Sequence, residues 1–242
     1  MDITEQLQRQ LYFFGTYFVE EKILACWSQL ARSSRMIFDV GANQGIYIVA
    51  LAASLHATSH AFEPTPRIAA ALRRTAELNG LGGLRVNEVA VFDGTGEARL
   101  IEYGGSDGLN GGMNYLASNG SAPGVPAGLQ VATTRLDKFC EANAITMIDL
   151  MKVDVQDHEP AVVQGAGNLI TSGRIQHVFL EQNWSAEGSS DCSARIVTAT
   201  LSAAGYRLAC PEMPLRWREA GRWLEGMSDV IACSSTVRSL GG

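Results

Sequence analysis

Apolar residues follow two spacings along the chain, short continuous runs and helical repeats, and the two alternate. Short apolar runs lie at residues 36–40, 59–62 and 84–91, and helical patterns at residues 46–55 and 68–79 separate them. Short buried strands that alternate with helices are typical of a parallel sheet with right-handed crossovers. The first half of the chain therefore predicts a doubly wound α/β fold.

The same alternation returns in the second half of the chain. Thr134 opens one helical pattern and is its expected N-cap, because its hydroxyl can accept a backbone N–H bond. Helices are predicted at residues 134–142, 161–170 and 194–204, and strands at 97–103, 148–155, 175–181, 206–210 and 228–233, with a turn at 219–221 before the last of them.

Two segments depart from this pattern. Residues 3–30 have helical spacing with a break near Gly15, and their aromatic residues suit a cover for a substrate site, a self-interface or ordinary packing. Residues 104–128 are rich in Gly, Asn, Ser and Pro, which predicts a lid, a binding loop or a disordered segment, and we expect a mobile lid or acceptor loop. We expect an N-terminal helical segment, 1–35, followed by one domain, 36–242.

Composition narrows the classes of partner. The 242 residues carry a formal net charge of -6 without blocks of Lys or Arg, which argues against nucleic acid. No apolar run is long enough to span a bilayer, so no membrane partner and a cytoplasmic location are expected. The five cysteines are scattered and do not form a metal-binding pattern, which predicts reduced thiols.

The strongest motif follows the first predicted strand and contains Asp39, Gly41, Asn43 and Gly45. Its glycines allow a sharp turn and a close approach of the backbone to a ligand. The dinucleotide pattern G-x-G-x-x-G does not fit, because Asn43 stands where the second glycine, which admits a pyrophosphate, would be. The carboxylate of Asp39 favours a cationic ligand, such as the ammonium group of S-adenosylmethionine (SAM).

The ends of the next two strands extend this site. Glu63 ends the second strand, where an acid can accept hydrogen bonds from both hydroxyls of a ribose. Ala90 lies near the end of the third strand, where small and apolar residues suit an adenine ring. Simple core packing is an equally good interpretation of Ala90.

Acidic residues crowd the end of the buried strand at 148–155. Asp154 is followed by Asp157, His158 and Glu159, and the carboxyl edge of an α/β sheet is where ligands bind. Neighbouring carboxylates raise each other's pKa, which suits a proton acceptor. Alternatively, Asp157 and Glu159 only complement a helix dipole, and a metal site at Asp154, Asp157 and His158 is the weakest interpretation. Glu181 ends the following strand and is a further candidate.

These motifs and their order resemble the FkbM-type methyltransferases between residues 36 and 183. The matching segments are 38–45 (FDVGANQG), 61–64 (AFEP), 78–81 (LNGL), 89–90 (VA), 134–137 (TRLD), 151–155 (MKVDV), 165–166 (GA) and 180–181 (LE). The resemblance implies a seven-stranded class I methyltransferase fold, SAM bound by Asp39, Gly41, Asn43 and Glu63, and methyl transfer to a hydroxyl oxygen. It implies sugars, macrolides or other secondary metabolites as acceptors. The chain departs from the family pattern D-V-E-G-x-E, since Gln156 and Asp157 replace its Glu-Gly pair and leave His158 as an unexpected candidate base.

We therefore predict a SAM-dependent O-methyltransferase that acts on a small hydroxyl compound without a metal, as a possible homodimer. The predicted cofactor-binding residues are Asp39, Gly41, Ala42, Asn43, Gly45, Glu63, Ala90 and Asp154, and the predicted catalytic residues are Asp154, His158 and Glu181. A nucleotide-cofactor oxidoreductase and a SAM-binding scaffold without catalysis are the alternatives. The failed glycine pattern disfavours the first, and the crowded acids around Asp154 disfavour the second.

Overall fold

The computed structural model describes six stretches of the chain in full. These are residues 21–47, 56–102, 128–181, 193–212, 214–219 and 229–236, together with the backbone of 104–105, 108–109 and 115–117 and the side chain of Leu116.

A seven-stranded sheet forms the centre of the fold. From one edge to the other its strands are β12 (Tyr206–Ala209), β13 (Asp229–Ser234), β11 (Ile175–Glu181), β10 (Ile148–Val153), β1 (Met36–Val40), β2 (Thr58–Phe62) and β3 (Leu84–Asn87). Of these seven strands only β13 is antiparallel to its neighbours, β11 and β12. The seven strands and their mostly parallel arrangement confirm the predicted fold class.

Helices cover both faces of this sheet. On one side lie α1 (Glu21–Ala31) and α2 (Pro66–Leu78), and on the other lie α3 (Leu136–Ala142), α4 (Glu159–Gly165), α5 (Gly167–Thr171) and α6 (Ser193–Ala203). Successive strand residues point to opposite faces. Leu150 therefore joins the core beneath α1 and α2, whereas Met151 joins the core beneath the other helices. The doubly wound arrangement follows from this division.

The predicted strand at 84–91 is wrong in its second half. The main-sheet strand ends at Asn87, and β4 (Ala90–Val91) instead pairs in parallel with β9 (Leu129–Thr134), a strand that the sequence pattern missed. The second sheet has the order β4, β9, β5 (Gly96–Ile101) and β8 (Tyr115–Ala117). Apolar residues occur on both sides of the break, although β3 is only partly buried and β4 is buried, so the pattern does not reveal the change of partner.

Two predicted helices also differ in the structure. Thr134 ends β9 and its carbonyl oxygen accepts the Phe92 N–H at 2.8 Å, so Arg135 is the N-cap of α3 in its place. The helix predicted at 161–170 is divided at Ala166 into α4 and α5. Gly165 and Gly167 flank that point, and glycine is a poor residue for a helix interior.

Part of the glycine-rich segment at 104–128 forms strands where only a loop was predicted. β6 (Gly104–Gly105) pairs with β7 (Gly108–Leu109), and β8 pairs with β5. The helix after the first glycine motif begins at Ile46. The predictions for residues 1–20, 48–55 and 220–221 lie outside the described residues. None of the helices in the described part is long and apolar enough to cross a membrane.

Candidate active site

A cleft opens beyond the carboxyl ends of β1, β2 and β10, next to the second sheet. It is lined by Val40, Gly41, Asn43, Phe62, Glu63, Pro64, Thr65, Ala90, Val91, Leu100, Leu116, Asp154, Val155, Gln156 and His158. The cleft thus has polar groups at the strand ends and an apolar wall from β4, β5 and β8.

Gly41 allows the ends of β1 and β10 to meet at this cleft. Its φ is +81°, and a Cβ atom there would lie 1.9 Å from the carbonyl oxygen of Asp154. Next to this contact the Asp154 N–H donates to the carbonyl oxygen of Val40 at 3.1 Å. Only glycine fits this position, because both the backbone conformation and the missing side chain are required.

The N–H groups that begin the glycine loop are bonded within the chain. Gly41 and Ala42 both donate to the carbonyl oxygen of Phe62, at 3.1 Å each, and Asn43 donates to Oε2 of Glu63 at 3.0 Å. Anion-binding loops instead leave successive N–H groups free for phosphate oxygens. This geometry disfavours the alternative of a nucleotide-cofactor oxidoreductase.

Glu63 is a buried carboxylate held by two backbone N–H groups. It is 5% exposed, and its Oε1 accepts the Thr65 N–H at 2.8 Å while Oε2 accepts that of Asn43. Burial raises the pKa of Glu63, and the two backbone hydrogen bonds oppose that rise. Each carboxylate oxygen has two lone pairs, and the Thr65 side chain is a third donor to them, so Glu63 keeps capacity for one further donor in the cleft.

Asn43 adds a second acceptor to the same part of the cleft. Its φ is +47°, a conformation that Asn tolerates better than most residues. Its Oδ1 is buried and has no hydrogen-bond partner among the described residues. A buried polar atom without a partner costs free energy, which favours a ligand donor at this position.

Asp154 lies at the end of β10 among three hydrogen-bond partners. The Nζ of Lys152 is 2.6 Å from its Oδ2, and the Nε2 of Gln156 donates to its Oδ1 at 3.1 Å. Lys152 is buried and lies 4.4 Å from the ring centroid of Tyr47. Burial acts to raise the pKa of Asp154, but the charge of Lys152 and hydrogen bonds from Glu181, Lys152 and Gln156 hold it below its usual value. Asp154 is therefore ionised at neutral pH.

Glu181, at the end of β11, shares a hydrogen bond with Asp154. This hydrogen bond, followed by the partial enclosure of the carboxyl group and the negative charge of Asp154, raises the pKa of Glu181 to about 9, although the residue as a whole is exposed. Two carboxyl groups in contact titrate as a pair, with one proton between them. Glu181 and Lys152 also line a second, smaller cavity together with Asp229.

Replacing Glu181 with glutamine is expected to flatten the dependence of stability on pH. Between its usual value of 4.5 and about 9, Glu181 keeps a proton in the folded chain that the unfolded chain loses. The free energy of unfolding therefore falls as pH rises through this window. Glutamine donates to Asp154 without titrating, so E181Q should be more stable than the wild type at the alkaline end.

Thermal unfolding of both proteins at a series of pH values from 5 to about 9 measures this difference. E141Q removes a carboxylate from an exposed ion pair with Lys138 and serves as the control. Parallel curves for E181Q and the wild type would contradict a proton shared with Asp154.

In the loop between β10 and α4, Gln156 and Asp157 stand where the FkbM pattern has Glu and Gly. Gln156 and Asp157 have φ values of 52° and 70°, so Asp157 adopts the left-handed conformation that a glycine would take without strain. Glu159 is buried, and its carboxylate accepts the Val155 N–H at 3.1 Å and the Ser193 hydroxyl at 3.0 Å. Glu159 thus closes this loop onto α6.

His158 is the N-cap of α4 and bonds to the second sheet. Its Nε2 lies 2.8 Å from the carbonyl oxygen of Leu116, and its ring meets the ring of Phe92 edge to face at 5.8 Å. The ring also lines the cleft.

The structure brings most of the predicted site residues into one place. Gly41, Asn43, Glu63, Ala90, Asp154 and His158 line the cleft, and Glu181 reaches it through Asp154. Three others do not line it. Asp39 is 2% exposed and lies opposite Lys152 in the register of β1 and β10, whereas Ala42 and Gly45 are buried within the loop itself.

Sequence reasoning missed the apolar wall and the buried lysine. Leu100 and Leu116 come from the second sheet, whose strand pairing has no local signature. Lys152 was recognised only as part of a motif, although a lysine inside a buried strand signals a charged partner nearby. The part of the chain that the structure describes contains no group of three or more His, Cys, Asp or Glu residues placed to hold a metal ion.

Comparisons with known proteins agree with this geometry. The 31-O-demethyl-FK506 methyltransferase FkbM of Streptomyces tacrolimicus is 29% identical over 211 residues, which are 76% of this chain and 77% of the relative. The 2-O-methyltransferase NoeI of Sinorhizobium fredii is 30% identical over 160 residues, 61% of this chain and 64% of that relative. A crystal structure of an O-methyltransferase from Bacillus cereus in complex with SAH has the same fold, with a TM-score of 0.50 at 14% identity over 97% of this chain and 91% of that one. The family model of the methyltransferase FkbM domain matches residues 39–208, and the chain belongs to this family.

Proposed function

We propose that this protein transfers the methyl group of SAM to a hydroxyl oxygen of a small molecule. The observation that carries the proposal is the pairing of Glu63 with the Gly41 loop at the cleft, in a chain of a methyltransferase family. SAM supplies a methyl group already activated by its sulfonium. The chain therefore has to bind SAM, orient the acceptor and take up the proton of the acceptor hydroxyl. It does not have to activate the methyl donor.

The residues of the cleft fit SAM. Glu63 keeps an acceptor site for a ribose hydroxyl, and the unpartnered Oδ1 of Asn43 can accept an N–H of the ammonium group. Ala90 and Val91 belong to an apolar wall suited to adenine. Asp39 acts from behind the loop, since its buried carboxylate adds negative charge near the methionine end and lies beside Lys152 in the sheet.

The proton of the acceptor hydroxyl goes to the pair of Asp154 and Glu181. Asp154 is ionised at neutral pH and lines the cleft, and Lys152 fixes its carboxylate at 2.6 Å. As the acceptor oxygen gains a methyl group it loses its proton, and Asp154 receives that proton. Proton acceptors placed in this way contribute about 10²- to 10⁴-fold to a rate.

The class of acceptor follows from the relatives. Both named relatives are O-methyltransferases, so a small molecule with a hydroxyl group is the proposed acceptor. The net charge of -6 supports a partner other than nucleic acid. A cytoplasmic location and a homodimer remain predictions from the sequence.

Calorimetry with SAM and S-adenosylhomocysteine tests the cofactor. We expect both to bind, whereas NAD in the same experiment should not. A folded chain that binds neither SAM nor S-adenosylhomocysteine would contradict the proposal. Methyl-labelled SAM offered with a panel of hydroxyl compounds then separates an enzyme, which labels an acceptor, from a scaffold, which binds SAM and labels none.

Replacing Glu63 with glutamine is expected to weaken SAM binding by about 1–3 kcal/mol, as for the loss of a charge-assisted hydrogen bond. The amide can accept only one of the two backbone N–H groups that the carboxylate accepts, and it offers fewer acceptors to a ribose. Calorimetry of E63Q measures the loss. E88Q removes a carboxylate from an exposed ion pair with Arg73 and should bind SAM as the wild type does.

A further inference from the structure

We propose that His158 is a positioning residue that holds the apolar wall of the cleft against the adenine ring, and that it is not the catalytic base. The inference rests on the proposed SAM site. Its basis is the 2.8 Å contact between Nε2 of His158 and the carbonyl oxygen of Leu116. A carbonyl oxygen only accepts hydrogen bonds, so Nε2 must carry the hydrogen. In the neutral ring the proton on Nε2 is therefore committed to the backbone of β8 and only Nδ1 keeps a lone pair, so the kcat of a variant without Nδ1 tests whether that nitrogen takes up a proton.

The ring of His158 is held from a second side. Phe92 meets it edge to face at 5.8 Å, with an angle of 67° between the rings. Phe92 is itself fixed at its backbone. Its N–H donates to the carbonyl oxygen of Thr134, and its own carbonyl oxygen packs so closely on Gly165 that a Cβ atom there would lie only 2.1 Å from it. Turning the imidazole to offer Nε2 to a substrate would break the bond to Leu116 and this ring contact.

The bond from His158 ties down an edge strand. β8 lies at the edge of the second sheet, where it pairs with β5 and places Leu116 opposite Leu100. Leu116 is 8% exposed and packs in one cluster with Ala90, Leu100 and Val131. Since an edge strand is hydrogen-bonded on one side only, a donor from the cleft side fixes its position. The wall formed by Leu100 and Leu116 therefore depends on His158.

The contacts of His158 also differ from those of the proposed proton acceptor. Leu116 belongs to β8, and Phe92 directly follows β4 and packs against the apolar cluster of the second sheet. Glu181, in contrast, ends β11, which neighbours β10, and contacts Asp154. This division places adenine contacts at His158 and proton transfer at Asp154.

Two substitutions separate the roles of the imidazole. His158→Gln keeps an N–H donor at the same reach but offers no group that takes up a proton. His158→Phe keeps a ring for Phe92 and removes the donor. His56→Gln, at an exposed histidine, is the matched control. Calorimetry is done on the full chain with two probes, SAM and 5′-methylthioadenosine, which share the adenosine part and differ in the methionine part.

H158F is expected to lower the affinity for both probes by the same factor, about three- to tenfold, which is the effect of one neutral hydrogen bond. H158Q and H56Q should bind both probes as the wild type does, and H158Q should keep its turnover with any acceptor found. The proposal is overturned if H158F binds both probes like the wild type, if H158Q binds them as weakly as H158F does, or if H158F loses affinity for SAM alone. It is also overturned if H158Q keeps its affinity and loses about 10²- to 10⁴-fold in kcat, the result for a base. A wild-type chain that binds neither probe contradicts the SAM site itself.

Discussion

Replacing Gly41 with alanine is expected to abolish SAM binding and to lower the free energy of unfolding by roughly 2–5 kcal/mol, the combined cost of a left-handed backbone and of overpacking. The new Cβ atom would lie 1.9 Å from the carbonyl oxygen of Asp154, which is backbone and cannot rotate away. Relief requires the ends of β1 and β10 to separate, which breaks the bond from Asp154 to Val40 and opens the cleft. Denaturant unfolding and calorimetry with SAM measure the two effects.

Gly80→Ala is the matched control for this substitution. Gly80 also has a positive φ, +66°, but a Cβ atom there would meet nothing within 4 Å. G80A therefore incurs only the backbone cost, about 1–2 kcal/mol, and should bind SAM normally. Equal destabilisation in the two variants would show that the contact with Asp154 does not limit position 41.

Replacing Asp154 with asparagine is expected to lower kcat by about 10²- to 10⁴-fold at saturating SAM, because the amide cannot take the proton of the acceptor hydroxyl. Asparagine keeps the size of the side chain and an oxygen for Lys152, so the cleft keeps its shape. The stability of D154N should also fall, since Lys152 is buried and loses its charged partner. Transfer of labelled methyl to the acceptor found in the panel measures kcat.

Asp137→Asn separates the loss of a base from the loss of an ion pair. Asp137 pairs with Arg135 at 2.6 Å, the same distance as between Asp154 and Lys152, but it does not line the cleft. Arg135 also lowers the pKa of Asp137, mainly through their hydrogen bond. D137N should therefore lose stability and keep its turnover. Turnover of D154N near that of the wild type would exclude Asp154 as the proton acceptor.

The local order of the elements could be read from the sequence because local physics produces it. Apolar runs such as 36–40 and 175–181 match β1 and β11 residue for residue, since buried parallel strands need continuous apolar residues. The motif with Gly41 and Glu63 marks strand ends, and strand ends of a parallel sheet meet at one edge. The position of the cleft was therefore predictable without coordinates.

Partners distant in sequence were decided only by the tertiary structure. Ala90 changes from the main sheet to β9, and Leu116 reaches the cleft through β8, because strand pairing depends on which backbone edges meet in space. The same holds for chemistry: His158 and Asp154 look alike as candidates in sequence, four residues apart. In the folded chain one donates to a carbonyl of the second sheet, and the other is held by Lys152 and shares a proton with Glu181. Residue type thus determined which groups could act, and the environment that only folding creates determined what each can do, because burial and neighbouring charges set where protons and hydrogen bonds go.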